Sequence, residues 1–173
     1  MHRLLVLALL ASGLGLVPMS ASAAASTVLA GYGDILADEA RGQVFVSQGA
    51  KGGVVVTDLQ GQVVTTIDSL VGAFDLELTP SGESVVVGLR DDHKVATIDT
   101  STFEVEEWSV GTACPDTVGA ASDDMIWFGS VCGSSLYGGM AGLHRADGTI
   151  TDVSGWLSRA PACLLYTSDA ADE

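Results

Sequence analysis

Three aspartates share one spacing: Asp34, Asp75 and Asp116 follow one another at intervals of 41 residues. If the chain folds as repeats, their carboxylates gather at one end of the molecule around a common axis. Oxygen donors gathered in this way can hold a Ca2+ ion or repel anions. The simpler role, and the preferred expectation, is structural. An aspartate at the entrance of a strand accepts backbone N–H groups and fixes the turn from one repeat into the next. No other cofactor is identified.

Cys114 and Cys132 are the next candidates. Ser122-Asp123-Asp124 reads as a hairpin turn, and residues equidistant from 123 then lie opposite each other across the two strands. Positions 114 and 132 are such a pair, which places the sulfurs at the open end of one hairpin, at a separation that permits a disulfide. A metal or redox role is the weaker alternative, because no histidine lies near them in sequence and there is no C-x-x-C. Asp91-Asp92-His93 reads as a solvated loop, and His144-Arg145 sits where a strand meets a turn with no partner for general-base chemistry. Asp58 and Asp99 end strands and read as turn formers. Trp108 and Trp127 read as packing residues. The chain carries no G-x-S-x-G, H-E-x-x-H, P-loop or D-x-D-x-D-G motif, so no catalytic residue is assigned.

The elements that must position these residues repeat with the same period. A shift of 41 lays Val44-Phe45-Val46-Ser47 on Val85-Val86-Val87-Gly88 and on Ile126-Trp127-Phe128-Gly129. It also lays Val54-Val55-Val56-Thr57-Asp58 on Val95-Ala96-Thr97-Ile98-Asp99. Within the second unit, short runs at 74–78, 84–88, 94–99 and 104–110, enriched in β-branched and aromatic residues, are separated by turn residues, with no helical periodicity. Four antiparallel strands in about 41 residues is the arithmetic of a propeller blade. The expected fold is therefore all-β, with about three four-stranded antiparallel blades at 33–71, 72–112 and 113–154 and a ring that does not close. Gly148 follows Gly61 by five residues more than two periods, and the surplus is expected between the second and third strands of the third unit, around Cys132 to Gly139.

Val85-Val86-Val87-Gly88, the stretch Lys94 to Val105 and Val110-Gly111 together resemble the repeat of YVTN-type β-propellers. These are secreted bacterial and archaeal proteins related in shape to lactonase and quinoprotein propellers. The resemblance covers 33–154 and implies a ring of six to eight blades, of which three would be present, with two blade faces left raw. On that basis Thr27 to Ala30, in register with the end of the first unit, is expected to supply the outer strand of a last blade.

Both ends are expected to lie outside the domain. His2-Arg3, the apolar run Leu4 to Val17, Pro18 and the small-residue site Ala21-Ser22-Ala23 predict a signal peptide over 1–23, cleaved near Ala23. Fourteen residues of helix span about 21 Å, short of the roughly 30 Å hydrocarbon core, so this run is not expected to be a transmembrane helix. At the other end, 163–173 resembles the translation of a sequencing-library adapter, and a native chain would then continue beyond Ala162. The remaining 24–162 holds 6 basic and 19 acidic side chains, a net charge of −13 against −15 for the full 173 residues. That balance excludes a phosphate-tracking nucleic-acid binder and a polybasic membrane-surface protein.

The function expected from these features is a secreted, non-catalytic binding or scaffold module of the cell envelope or exterior, with an extracellular or cell-wall ligand. Its oligomeric state is left open. The alternative is part of a propeller enzyme of lactonase or quinoprotein-like type. The cysteine pairing is checked directly by intact mass of the oxidised protein under denaturing conditions. Cys114 and Cys132 should resist alkylation until reduced, and two freely alkylated thiols would refute the pairing.

Overall fold

The computed structural model describes residues 29–132 and 138–157, apart from the side chains of 152–157. Twelve strands follow one another in this region with no α-helix among the described residues. They are β1 (Ile35–Asp38), β2 (Gln43–Ser47), β3 (Val54–Asp58) and β4 (Val63–Ile67), then β5 (Ala73–Leu78), β6 (Ser84–Leu89), β7 (Lys94–Asp99) and β8 (Val105–Ser109), and finally β9 (Pro115–Ala120), β10 (Met125–Ser130), β11 (Gly138–His144) and β12 (Ile150–Leu157). Each consecutive four form one antiparallel sheet in sequence order. The sequence period is also a register period: Gln43 pairs with Asp58, and 41 residues later Ser84 pairs with Asp99.

The sheets stack because each has two apolar faces. In β6, Val85 and Val87 point into the core shared with the first sheet, beside Phe45, Val54 and Val56. Val86 points the opposite way, into the core shared with the third sheet, beside Val118, Ile126 and Phe128. Covered on both sides, β6 is buried along its whole length. A strand in that position needs no polar alternation, which accounts for the unbroken apolar run. In β10 only one face has a described neighbour: Ile126 and Phe128 are buried, and Trp127 between them is half-exposed. Trp108 packs against the core between the second and third sheets. The inner edges meet along β1, β5 and β9, which brings the residues at the starts of these strands together.

Two details differ from the sequence reading. The fourth strand of the third unit runs to Leu157, three residues past the expected boundary at 154. The five-residue surplus is also split. Gly88 pairs with Val95, whereas Gly129 pairs with Met140, so the connection between β10 and β11 is four residues longer than its counterpart. The fifth residue lies in the next turn and is already present in the second unit. Gly61 N–H bonds back to Asp58, but Phe103 N–H bonds to Asp99 and Gly148 N–H to His144, one residue further in each case. Phe103 takes the left-handed φ of 61° that glycine holds in the other two turns. A bulky residue in that conformation carries no turn signature in sequence.

Of the expected outer strand at 27–30, residues 27 and 28 lie outside the described region, and Leu29 and Ala30 are not in a strand. Ala30 N–H donates to Gln48 Oε1 at 2.8 Å. The proposed signal peptide and the 163–173 tail also lie outside the described residues.

Two-sided burial makes a concrete prediction. Phe45→Ala empties a fully buried site between the first two sheets, and should cost about 3–5 kcal/mol in urea unfolding. Leu59→Ala, at a side chain 56% exposed, should stay within about 0.5 kcal/mol of the parent.

Candidate functional site

The three aspartates stand where the sheets meet. Asp34 immediately precedes β1, Asp75 lies in β5 and Asp116 in β9. Two of them reach into the following sheet. Leu76 N–H donates to Asp34 Oδ2 at 3.2 Å, and Val118 N–H donates to Asp75 Oδ2 at 2.7 Å. The carboxylate of each inner strand therefore accepts a backbone proton from the next one, 42 or 43 residues on. The acceptor role matches the structural expectation, but the bond crosses between sheets instead of closing a local turn. Asp116 occupies the same place in the third sheet and is 6% exposed.

Ser47 adds a second stitch between the first two sheets. Its Oγ accepts from Asp34 N–H at 2.7 Å and donates to Phe74 O at 2.9 Å. The position 41 residues later is Gly88, and here a Cβ would come within 2.8 Å of Pro115 O. Backbone contact replaces the side-chain bridge at that junction.

These bonds gather negative charge in a partly dry place. Burial pushes the Asp75 carboxyl up to about 6, with the charges of Asp34 and Glu77 adding to the effect and the Val118 and Leu76 amides opposing it. Burial and the Asp34 charge also raise Glu77. Asp34, Asp75 and Glu77 thus form a strained acidic group along the inner strands. Among the described residues, no group of three or more His, Cys, Asp or Glu side chains is arranged to hold a metal ion.

The opposite end of the sheets is tied by Asp38 and Arg41, which the sequence reading passed over, and by Asp123 and Arg145, which it placed only at turns. Asp38 is 1% exposed and pairs with Arg41 at 3.2 Å, while Arg41 Nη1 also donates to Gly82 O at 2.7 Å in the next sheet. Ser81 N–H donates to Asp123 Oδ1 at 3.1 Å, and this bonding to Ser81 holds Asp123 below the usual carboxylate range. Arg145 spans the second and third sheets. It donates to Asp123 O at 2.8 Å and to Thr97 Oγ1 at 3.3 Å, pairs with Glu106 at 3.4 Å and lies over the Trp108 ring at 5.7 Å. The 41-residue interval between Arg41 and Gly82 was the one available signal; Arg145 had none, because its partners lie on other strands.

The remaining candidates have local roles. Asp58 Oδ1 accepts from Gln60 and Gln62 N–H, and Asp99 Oδ1 from Ser101 and Thr102 N–H, which holds Asp99 below the usual carboxylate range. Cys114 and Cys132 form a disulfide with Cα atoms 5.2 Å apart. The pairs Ile126–Ala120 and Phe128–Val118 match a hairpin centre at 123, but a bulge beyond Gly129 sets Ser130 opposite Pro115, so the cysteines bridge from positions one residue out of the expected register. Asp91 and Asp92 are exposed. His93, however, reaches the third sheet: its Nδ1 lies 2.8 Å from Ala113 O.

No protein-family model and no curated protein matches the sequence. Solved structures do match the fold. Hydrazine synthase of Kuenenia stuttgartiensis superposes with a TM-score of 0.62 at 15% identity, over 83% of this chain and 41% of that one. The β-propeller domain of Cps50 (Swd1) from Myceliophteria thermophila superposes with a TM-score of 0.55 at 13% identity, over 69% of this chain and 39% of that one. The fold is three blades of a β-propeller. The chain spans about two-fifths of the length of these neighbours, and at such identities the likeness concerns architecture alone. In propeller terms, β1, β5 and β9 are the innermost strands, and the aspartates stand at or near their starts.

The Asp75 bond can be tested by substitution and by pH. Asp75→Ala leaves the Val118 amide without its acceptor and should cost about 1–3 kcal/mol, whereas Asp75→Asn keeps an oxygen in place and should cost less. Asp75 binds its proton more tightly in the folded chain than the ordinary value of 3.8 implies for the unfolded one, so folding takes up a proton between about 4 and about 6. Relative to Asp75→Asn, the parent should gain stability as pH falls from neutrality through 6 and retain the gain below 4. Urea midpoints that run parallel for the two proteins across this range would contradict the assignment.

Proposed function

We propose that the chain is an exported β-propeller module of YVTN type that binds an extracellular or cell-wall ligand, or presents a surface to one, without catalysing a reaction. The observation that supports this reading is how its most conspicuous acidic residues are used. Asp34 and Asp75 each accept an amide proton from the following blade, and Arg145 is spent on Thr97, Glu106, Asp123 and Trp108. Side chains that hold blades together are not poised to move protons in a reaction. The exposed loop at 91–93 beside the Cys114–Cys132 disulfide offers a surface at the channel-mouth end, where propeller connections vary without disturbing the sheets.

The rival reading, a propeller enzyme of lactonase or quinoprotein-like type, draws its catalytic groups from several blades around one channel. Three blades supply only some of those positions. Export and activity discriminate the readings together. Expressed in a secreting bacterial host, the full chain should appear outside the cytoplasm with Ala24 as its first residue, and should co-sediment with insoluble cell-wall polymer. Retention of 1–23 in a cytoplasmic product would overturn export, and turnover of a lactone by the purified protein would favour the enzyme.

A further inference from the structure

The sequence separates His93 from Cys114 by 21 residues and puts them in different blades, yet the fold brings them together. The loop between β6 and β7 lies against the crossover into the third blade, and His93 Nδ1 stands 2.8 Å from Ala113 O and 3.7 Å from Cys114 Sγ. A carbonyl oxygen only accepts, so Nδ1 carries the proton, and the same N–H points toward the sulfur. His93 holds this place with a left-handed φ of 55°, uncommon for a residue with a side chain. The residue is exposed, which lets the imidazole exchange protons with solvent.

The two sulfurs are not equivalent. Cys114 is 8% exposed, whereas Cys132 is exposed. A thiolate arriving from solvent meets Cys132 first, and the leaving sulfur is then Cys114, the one beside the histidine. Exchange is faster when the departing thiolate is stabilised, and a neighbouring imidazolium stabilises it.

We propose that Cys114, Cys132 and His93 form a thiol–disulfide exchange site for an external dithiol. A thiolate of the dithiol attacks Cys132 Sγ, forming a mixed disulfide and breaking the bond to Cys114. The electron pair leaves on Cys114 Sγ as a thiolate, which the adjacent Nδ1–H of the His93 imidazolium stabilises while it stays bonded to Ala113 O. The second thiolate of the dithiol then attacks its own sulfur in the mixed disulfide and releases Cys132 as thiolate. Two electrons pass to the protein, and the dithiol departs as a cyclic or intramolecular disulfide. The reverse sequence reoxidises the pair. Cys114 N–H bonds to Ser130 Oγ at 2.8 Å and Val131 N–H to Cys114 O at 3.2 Å, so the backbone keeps the sulfurs adjacent through the cycle.

The charges around His93 are largely paired. Asp92 precedes it in the same loop, Asp91 is paired with Arg90 at 3.4 Å, and Lys94 after it is paired with Glu107. The crossover residues Thr112, Ala113 and Cys114 and the facing Val131 and Cys132 bring no charge.

The test uses the oxidised full chain with dithiothreitol as the dithiol and glutathione as a trapping monothiol. His93→Asn tolerates positive φ and keeps an N–H donor for Ala113, but has no titrating proton. Per unit of dithiothreitol thiolate, the parent should be reduced about threefold faster than His93→Asn at mildly acidic pH, the effect of roughly one unit in leaving-group pKa at a Brønsted coefficient of about 0.4–0.5. The difference should vanish at alkaline pH, where the imidazolium is lost. Peptide mapping should place the trapped glutathione on Cys132. Equal thiolate-corrected rates at every pH, or an adduct on Cys114, would overturn the proposal. The parent alone suffices if the variant folds poorly, because a thiolate-corrected rate that stays flat through the histidine range would count equally against it.

Discussion

A four-stranded blade of this chain cannot bury its own sheet. Val85 and Val87 leave β6 on one side and Val86 on the other, so the middle blade is half of two cores and the whole of none. The stability of every blade therefore depends on its neighbours, the nearest-neighbour coupling expected of repeat architectures. This constraint explains why the second strand loses its polar alternation in the middle blade but keeps a half-exposed tryptophan in the third.

Hydrophobic stacking sets no angular position for one blade against the next, because it is non-directional. The directional bonds sit at the two ends of the sheets. At the channel side, Asp34 and Asp75 each receive an amide proton from the blade that follows. At the other end, Arg41 reaches Gly82 and Arg145 reaches Thr97. Charge enters this scheme in opposite ways. The guanidinium groups bridge blades with favourable partners, whereas the inner carboxylates crowd one another and hold their place through amide donors. An acidic chain of net charge −15 thus concentrates part of its self-repulsion at the axis.

The blade pattern was legible because it rests on short-range chemistry repeated at a fixed interval. Strand β7 falls on the residues assigned to it, and a hairpin centred on residue 123 brings Cys114 and Cys132 to the same open end. Legibility failed where a residue adopts a conformation foreign to its type. Phe103 sits at a glycine position of the turn, so the turn's true length was hidden. It failed again where the partner is supplied by another blade. Asp34 was readable as an amide acceptor, but not as the acceptor for Leu76.

The sequence by itself determined the class of fold, the number of strands per repeat, the period and the cysteine pairing, since all of these follow from local alternation, turn residues and counting along the chain. Only the tertiary structure decided what the polar residues do. Arg145 became a clamp between blades, and His93 became a neighbour of Cys114 despite the absence of any histidine close to it in sequence. The physical reason is that hydrogen bonds and proton transfer act over about 3 Å, and the residues brought within that distance belong to strands whose contact is created by stacking, not by sequence order.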